Sequence, residues 1–280
     1  MILTRHWDDD GPRWALDGYY MPRAFKLEML MQVPAANLQE VLYRLSTGQE
    51  ADGHILAPIE PNQEVWASGV TYLRSREARK AESERGDIYD DVYDAERPEL
   101  FFKAIGWRVV GDEGTVGIRS DSAWNVPEPE LVLLINNQME IVGYTAGNDM
   151  SSRDIEGSNP LYLPQAKVYE RSCAIGRGIK ISPEGEISSI DIRLTIYRAG
   201  SCVFDAETNT AQMKRTLKEL VAYLGKSMSF PYGVFLMTGT GIVPDEDFTL
   251  LEGDEVRVRV GEIQLTNRVI TIPDKTRLTR

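Results

Sequence analysis

The apolar positions of this chain change rhythm from one stretch to the next. Leu131, Val132, Leu133, Leu134 and Ile135 run without a polar break, and Ile141-Val142-Gly143-Tyr144-Thr145-Ala146 follows after Asn136-Asn137-Gln138. Two such runs across a short polar connection predict a β-hairpin. Near the end the rhythm alternates instead, with Val256, Val258 and Val260 separated by Arg257 and Arg259. Alternation predicts a strand with one solvated face, on which both arginines lie. Other strands are predicted at 13–16, 25–30, 64–72, 101–103, 116–118, 187–197, 202–204 and 232–236, with Asp17-Gly18 as a turn. Helical spacing recurs in two places. Leu38, Val41, Leu42 and Leu45 predict a helix capped by Asn37 and stopped by Gly48. Met213, Leu217, Leu220, Val221 and Leu224 predict an amphipathic helix opening at Asn209-Thr210.

The hairpin carries the first candidate chemistry. Glu128 and Glu130 stand where its first run begins, and Asp149 where its second run ends. Side chains at i and i+2 of a strand share a face, so the two glutamates project together, and the hairpin returns Asp149 toward them. Three converging carboxylates repel unless a cation neutralises them. An all-oxygen donor set selects a hard ion, Mg²⁺, Mn²⁺ or Ca²⁺, over Zn²⁺. Without the convergence, two glutamates at a strand start are simply solvated.

The bulk numbers narrow the classes. The formal charge of −12 argues against a nucleic-acid surface, which needs clustered Lys and Arg. No apolar stretch approaches the roughly 18 residues of a membrane span, and the polar, acidic opening predicts no signal peptide. Two cysteines, Cys173 and Cys202, without a CxxC motif suggest buried reduced thiols and a cytoplasmic setting. Only His6 and His54 are present, so histidine chemistry has few candidates, and His54 among apolar neighbours reads as structural.

Several motifs, in order, closely resemble the fumarylacetoacetate hydrolase superfamily: EPELVLLI, then GYTAGNDMSSRD, then QAK with SCAIG, and finally Thr238-Gly239-Thr240 in FLMTGTGIVP. The resemblance spans roughly residues 66 to 270. It implies an α+β, β-rich protein, with a small N-terminal domain (1–65) and a catalytic mixed β-roll (66–280), assembled as a homodimer or homotetramer. It also implies that Glu128, Glu130 and Asp149 bind Mg²⁺ or a similar ion, that Lys167 is an active-site lysine, and that Gly239 and Thr240 hold a substrate carboxylate. A lysine in a partly desolvated pocket near a cation has its charged form disfavoured, so Lys167 can serve as a base.

Two departures from the hydrolase branch matter. Aligning Gly69-Val70-Thr71-Tyr72 with that branch places Ser75 where a water-activating histidine belongs, and Glu156 where a glutamine belongs. Hydrolytic C–C cleavage needs such a base. Arg74, Ser75 and Arg76 suit instead a carboxylate or polyhydroxy substrate, although 74–86 also reads as a solvated helix with i, i+4 charge pairs. Glu99 before FFKA is a fourth candidate acid or an edge carboxylate; Glu156 either exchanges a proton with a substrate hydroxyl or faces solvent; Arg153-Asp154 reads as a structural salt bridge. The stretches GVTYLRSREAR, ERPELFFKA and RDIEGSNPLYLPQAKVYERS resemble the 2-keto-3-deoxy-sugar-acid dehydratases of the superfamily. The implied activity is dehydration of a small 2-keto-3-deoxypentonate, with Lys167 as base and Glu99, aided by Glu156, as acid. Acylpyruvate or diketo-acid hydrolysis and oxaloacetate decarboxylation on the same metal are the alternatives.

Overall fold

A computed structural model describes residues 1–74, 87–182 and 187–274. Its centre is the predicted hairpin, β9 (Pro129–Ile135) against β10 (Ile141–Asp149), in which every residue is buried. Continuous apolar runs suit strands covered on both faces, and both faces are covered. Leu131, Leu133, Ile135, Tyr144 and Ala146 face one apolar cluster, while Val132, Leu134 and Val142 face another.

Around this hairpin runs an eleven-stranded sheet of order β3-β2-β1-β13-β10-β9-β16-β5-β6, with β12 paired to β10 and β4 to β1. The members are β1 (Ile2–Asp8), β2 (Gly11–Leu16), β3 (Tyr19–Tyr20), β4 (His54–Leu56), β5 (Glu64–Gly69), β6 (Glu99–Ile105), β12 (Cys173–Ile175), β13 (Ile179–Ile181) and β16 (Val234–Met237). The residues 1–65 and 66–280 thus share a sheet, joined where β1 pairs antiparallel with β13. They also share a core: Leu3, Trp14, Leu27, Leu38 and Leu42 pack in one cluster with Ala67, Val132, Leu134, Ile179 and Phe235.

The opposite face of β9–β10 packs on a five-stranded sheet, order β15-β14-β17-β18-β7, made of β7 (Thr115–Arg119), β14 (Asp191–Arg198), β15 (Ser201–Asn209), β17 (Glu255–Val260) and β18 (Ile263–Ile272). Here the alternation is observed as predicted: Val256, Val258 and Val260 are buried and Arg257 and Arg259 exposed. Leu220, Val221 and Leu224 of the helix Leu217–Gly225 complete that cluster.

Four local expectations are corrected. The segment 25–30 holds a helical turn, Leu27–Leu30, and not a strand; Leu27 and Leu30 at i, i+3 are both buried, and the Leu27 N–H donates to Glu60 Oε1 at 3.2 Å. The late helix starts at Leu217 instead of Asn209, because β15 continues through Asn209 and Thr216 supplies the cap, accepting from the Glu219 N–H at 3.2 Å. Asn37 makes no side-chain cap for Leu38–Leu45, since a 3₁₀ turn at Ala35–Asn37 already leads into that helix. Cys173 is buried, but Cys202 is exposed, near the start of the edge strand β15. The Asp17-Gly18 turn is present: both residues have positive φ, 47° and 85°, the backbone of a two-residue hairpin loop that matches strand twist. Among the described residues no helix is long and apolar enough to cross a membrane.

Candidate metal centre and active site

The site forms at the end of the hairpin opposite its turn. In the β9–β10 register Glu130 lies across from Gly147, and the Asp149 N–H donates to the Glu128 carbonyl at 2.9 Å. Glu128, Glu130 and Asp149 are 4 %, 1 % and 1 % exposed. One oxygen from each lies within 4.8 Å of the others. Burial, followed by the like charges of Asp149 and Glu128, pushes the Glu130 carboxyl well above the usual carboxylate range; the Gly239 N–H and Lys167 pull the other way.

Cations answer this crowding. Lys167, buried at the end of the short helix Leu163–Lys167, donates to Glu128 Oε2 at 2.8 Å, Asp149 Oδ2 at 3.2 Å and Ser151 Oγ at 2.6 Å. Arg153 Nη2 stands 3.0 Å from Glu128 Oε1. It therefore pairs with the site and not with Asp154, whose carboxylate instead accepts from Ser122 Oγ at 2.6 Å and the Ala123 N–H at 2.7 Å. The guanidinium is 1 % exposed and the carboxylate 5 %, so the pair reaches into the carboxylate cluster.

Lys103 is the residue that sequence reasoning missed. It is 1 % exposed, pairs with Asp149 Oδ1, and donates to the Met150 carbonyl at 3.1 Å and to the Lys167 carbonyl. β6 and β10 are separated in the sheet by β9, β16 and β5. A side chain from one reaches the other only because the sheet curls on itself, and the lysine spans the inside of that curl. The available signal was a lone lysine inside the apolar run Phe101-Phe102-Lys103-Ala104-Ile105, because a charge buried in a strand is almost always paired.

The remaining candidates are placed unequally. Glu99 and Phe101 share a face of β6, and the Phe101 ring centre lies 5.9 Å from Lys167 Nζ, so Glu99 faces the site side. Its carboxylate covers Gly69, where even a Cβ would meet Oε2 at 1.9 Å. Glu156 is buried, one helical turn beyond Arg153 in Arg153–Ser158, so it does not face solvent. Gly239, at φ 92°, turns its N–H onto Glu130 Oε2 at 2.6 Å; the backbone donor meets the protein's own carboxylate. The Thr240 hydroxyl engages the backbone of Ile242. Arg74 is exposed and pairs with Asp245 at 3.5 Å, while Ser75 and Arg76 lie outside the described residues. Neither histidine approaches the site: His6 bonds Thr4 and Gly53, and His54 on β4 lies across from Trp7 of β1.

Three clustered carboxylates with no histidine or thiol donor fit a hard divalent cation. A β-rich fold with this cluster at a hairpin end marks a class of enzymes whose grouped carboxylates could hold a metal ion. The model of the fumarylacetoacetate hydrolase C-terminal domain matches residues 64–270, and the chain belongs to that family. It is 47 % identical over 224 residues (79 % of this chain, 76 % of the relative) to a probable 2-keto-3-deoxyxylonate dehydratase of Haloferax volcanii. It is 42 % identical over 224 residues (78 % and 75 %) to a 2-dehydro-3-deoxy-D-arabinonate dehydratase of Saccharolobus solfataricus. The solved structure of a 2-keto-3-deoxy-D-arabinonate dehydratase complexed with magnesium and 2,5-dioxopentanoate superposes with a TM-score of 0.81 at 34 % identity, covering 98 % of this chain and 100 % of that one.

Proposed function

We propose that the protein is a metal-dependent hydro-lyase that dehydrates a 2-keto-3-deoxypentonate of the D-arabinonate or xylonate series to 2,5-dioxopentanoate. The observation that carries this reading is the buried meeting of Glu128, Glu130 and Asp149 with Lys167, in a chain 47 % and 42 % identical to two proteins named as dehydratases of these acids. Glu128, Glu130 and Asp149 would hold Mg²⁺, with Mn²⁺ or Ca²⁺ as other fitting ions. Such a cation supplies Lewis-acid polarisation of a 2-oxo acid, which acidifies the neighbouring C3 protons. Lys167 takes a C3 proton. Glu99, with Glu156 nearby, gives a proton to the departing C4 hydroxyl, which leaves as water. The 5-hydroxy-3-enoate so formed tautomerises to the dioxo acid, so one water is lost overall. Arg74, Ser75, Arg76, Gly239 and Thr240 are assigned to the substrate's polar tail and carboxylate.

The rival hydrolase and decarboxylase readings draw no support from the histidines, which bond or pair away from the centre. The free thiols of Cys173 and Cys202 support a cytoplasmic setting, and the family resemblance a homodimer or homotetramer.

The test is turnover of 2-keto-3-deoxypentonates beside acylpyruvates and oxaloacetate, before and after EDTA treatment. We expect dehydration of the first group alone, lost on metal removal and restored by Mg²⁺. Glu128→Ala should lose activity and Mg²⁺ affinity together. Full velocity after stripping, or preference for an acylpyruvate, would overturn the reading.

A further inference from the structure

The strand β5 ends in a backbone conformation that its sequence resists. Val70 has φ 53°, in the left-handed region, although it is β-branched and buried; such residues rarely adopt it. The turn it makes sends Thr71 and Tyr72 against the loop that follows β16. The Thr71 hydroxyl donates to the Thr238 carbonyl at 2.7 Å, and the Tyr72 ring occupies the space where a side chain on Gly241 would stand, its Cδ1 2.8 Å from that Cβ position. This is the loop whose Gly239 N–H holds Glu130.

Tyr72 is 1 % exposed, and among the described residues its hydroxyl has no hydrogen-bond partner. Native structures leave few such groups, and a buried phenol normally finds an acceptor. Burial, and after it the Glu130 carboxylate, holds its phenol well above the usual tyrosine range. Thus a donor, anchored by a strained turn, is packed on the loop that holds Glu130 and is not used by the described residues.

We propose that the Tyr72 hydroxyl is a substrate-contacting group: it donates a hydrogen bond to an anionic oxygen at the 2-oxo-acid end of the ligand. The inference rests on the 2-oxo-acid reading of the site given above. It adds a donor from the turn after β5 to those on the TGT loop, and it explains why the hydroxyl goes unused by the described residues.

The experiment compares the full-length enzyme with Tyr72→Phe by calorimetric titration of pyruvate in the presence of saturating Mg²⁺, with Mg²⁺ titration and thermal melting of the ligand-free proteins alongside. The phenyl ring keeps the packing on Gly241. We expect pyruvate affinity to fall about tenfold or more, as for a lost hydrogen bond to a charged group. Mg²⁺ affinity should be retained, and the melting temperature should be equal to or above that of the wild type, because an unsatisfied buried hydroxyl is removed. Unchanged pyruvate affinity overturns the assignment while leaving the dehydratase reading intact. A lower melting temperature with lost Mg²⁺ binding overturns it too, by making the hydroxyl structural. Wild-type protein that binds no pyruvate removes both this inference and the reading beneath it.

Discussion

The two ends of the β9–β10 hairpin both carry polar side chains away from bulk water, and they treat them in opposite ways. At the turn, Asn136 Oδ1 accepts the N–H groups of Gln138 and Glu140 at 3.0 and 2.9 Å. Glu140 Oε2 accepts from Asn136 Nδ2 at 2.7 Å and from the Ala35 N–H at 2.8 Å. Each of these acceptors faces a neutral donor, and the group ties the hairpin to the segment before Leu38–Leu45. At the other end three carboxylates share one pocket, and Lys103, Lys167 and Arg153 are drawn in to offset them. A polar cluster made for stability distributes donors among acceptors; one made for chemistry concentrates like charge and depends on cations to hold it.

Substitutions at the two ends should therefore fail differently. The largest effect belongs to Lys167→Ala. Loss of a proton-transfer group lowers turnover by about 10²–10⁴-fold, and we expect Mg²⁺ binding to survive; near-normal dehydration by this variant would remove the base assignment. Glu140→Ala should show the reverse pattern. Two hydrogen bonds to a carboxylate disappear, so denaturant melts should reveal a loss of about 1.5–3 kcal/mol with kcat unchanged. A Glu140 variant that folds normally yet turns over slowly would erase the contrast between the ends.

Much of this contrast was legible in the residues. The unbroken run from Leu131 to Ile135 announced the first strand of the hairpin, and the i, i+2 glutamates with Asp149 announced the convergence. Legibility failed where distant strands meet. Lys103 approaches Asp149 only through the curl of the sheet, which no local pattern encodes, and Arg153 passes over its neighbour Asp154 to reach Glu128 for the same reason. Between Phe25 and Leu30 the local signal was ambiguous: Phe25, Leu27 and Met29 alternate with Lys26 and Glu28 as on a strand, while Leu27 and Leu30 fit one helical turn, and six residues do not separate the two.

Glu130→Gln sharpens the comparison at smaller amplitude. Its carboxyl is pushed up by burial and by Asp149 and Glu128, so in metal-free protein the charge is a liability. Glutamine keeps an acceptor for the Gly239 N–H and removes the repulsion. In EDTA we expect the variant to be as stable as the wild type or about 1 kcal/mol more stable, an effect of the size found when an active-site group is traded for stability, while Mg²⁺ affinity falls. Destabilisation in EDTA would mean that the carboxylate belongs to the framework, as Glu140 does at the turn.

The smallest effect probes how dry the site end is. Cys173 lies opposite Asp149 in the β10–β12 register, and burial, opposed by Lys103 and reinforced by Asp149 and Glu130, pushes its thiol up to about 12. The unfolded chain's thiol ionises near 8.5. A folded value above the unfolded one means that the neutral thiol favours the folded state, fully below about pH 8.5 and less as pH climbs from there toward 12. At pH 8 to 9 the thiolate needed for alkylation is thus scarce at Cys173, while Cys202 stands exposed. Iodoacetamide should therefore label Cys202 alone in native protein and both thiols in denaturant, read by peptide mass. Native labelling of Cys173 at a rate matching Cys202 would show water reaching the carboxylate end of the hairpin, and the electrostatic difference between its two ends would shrink accordingly.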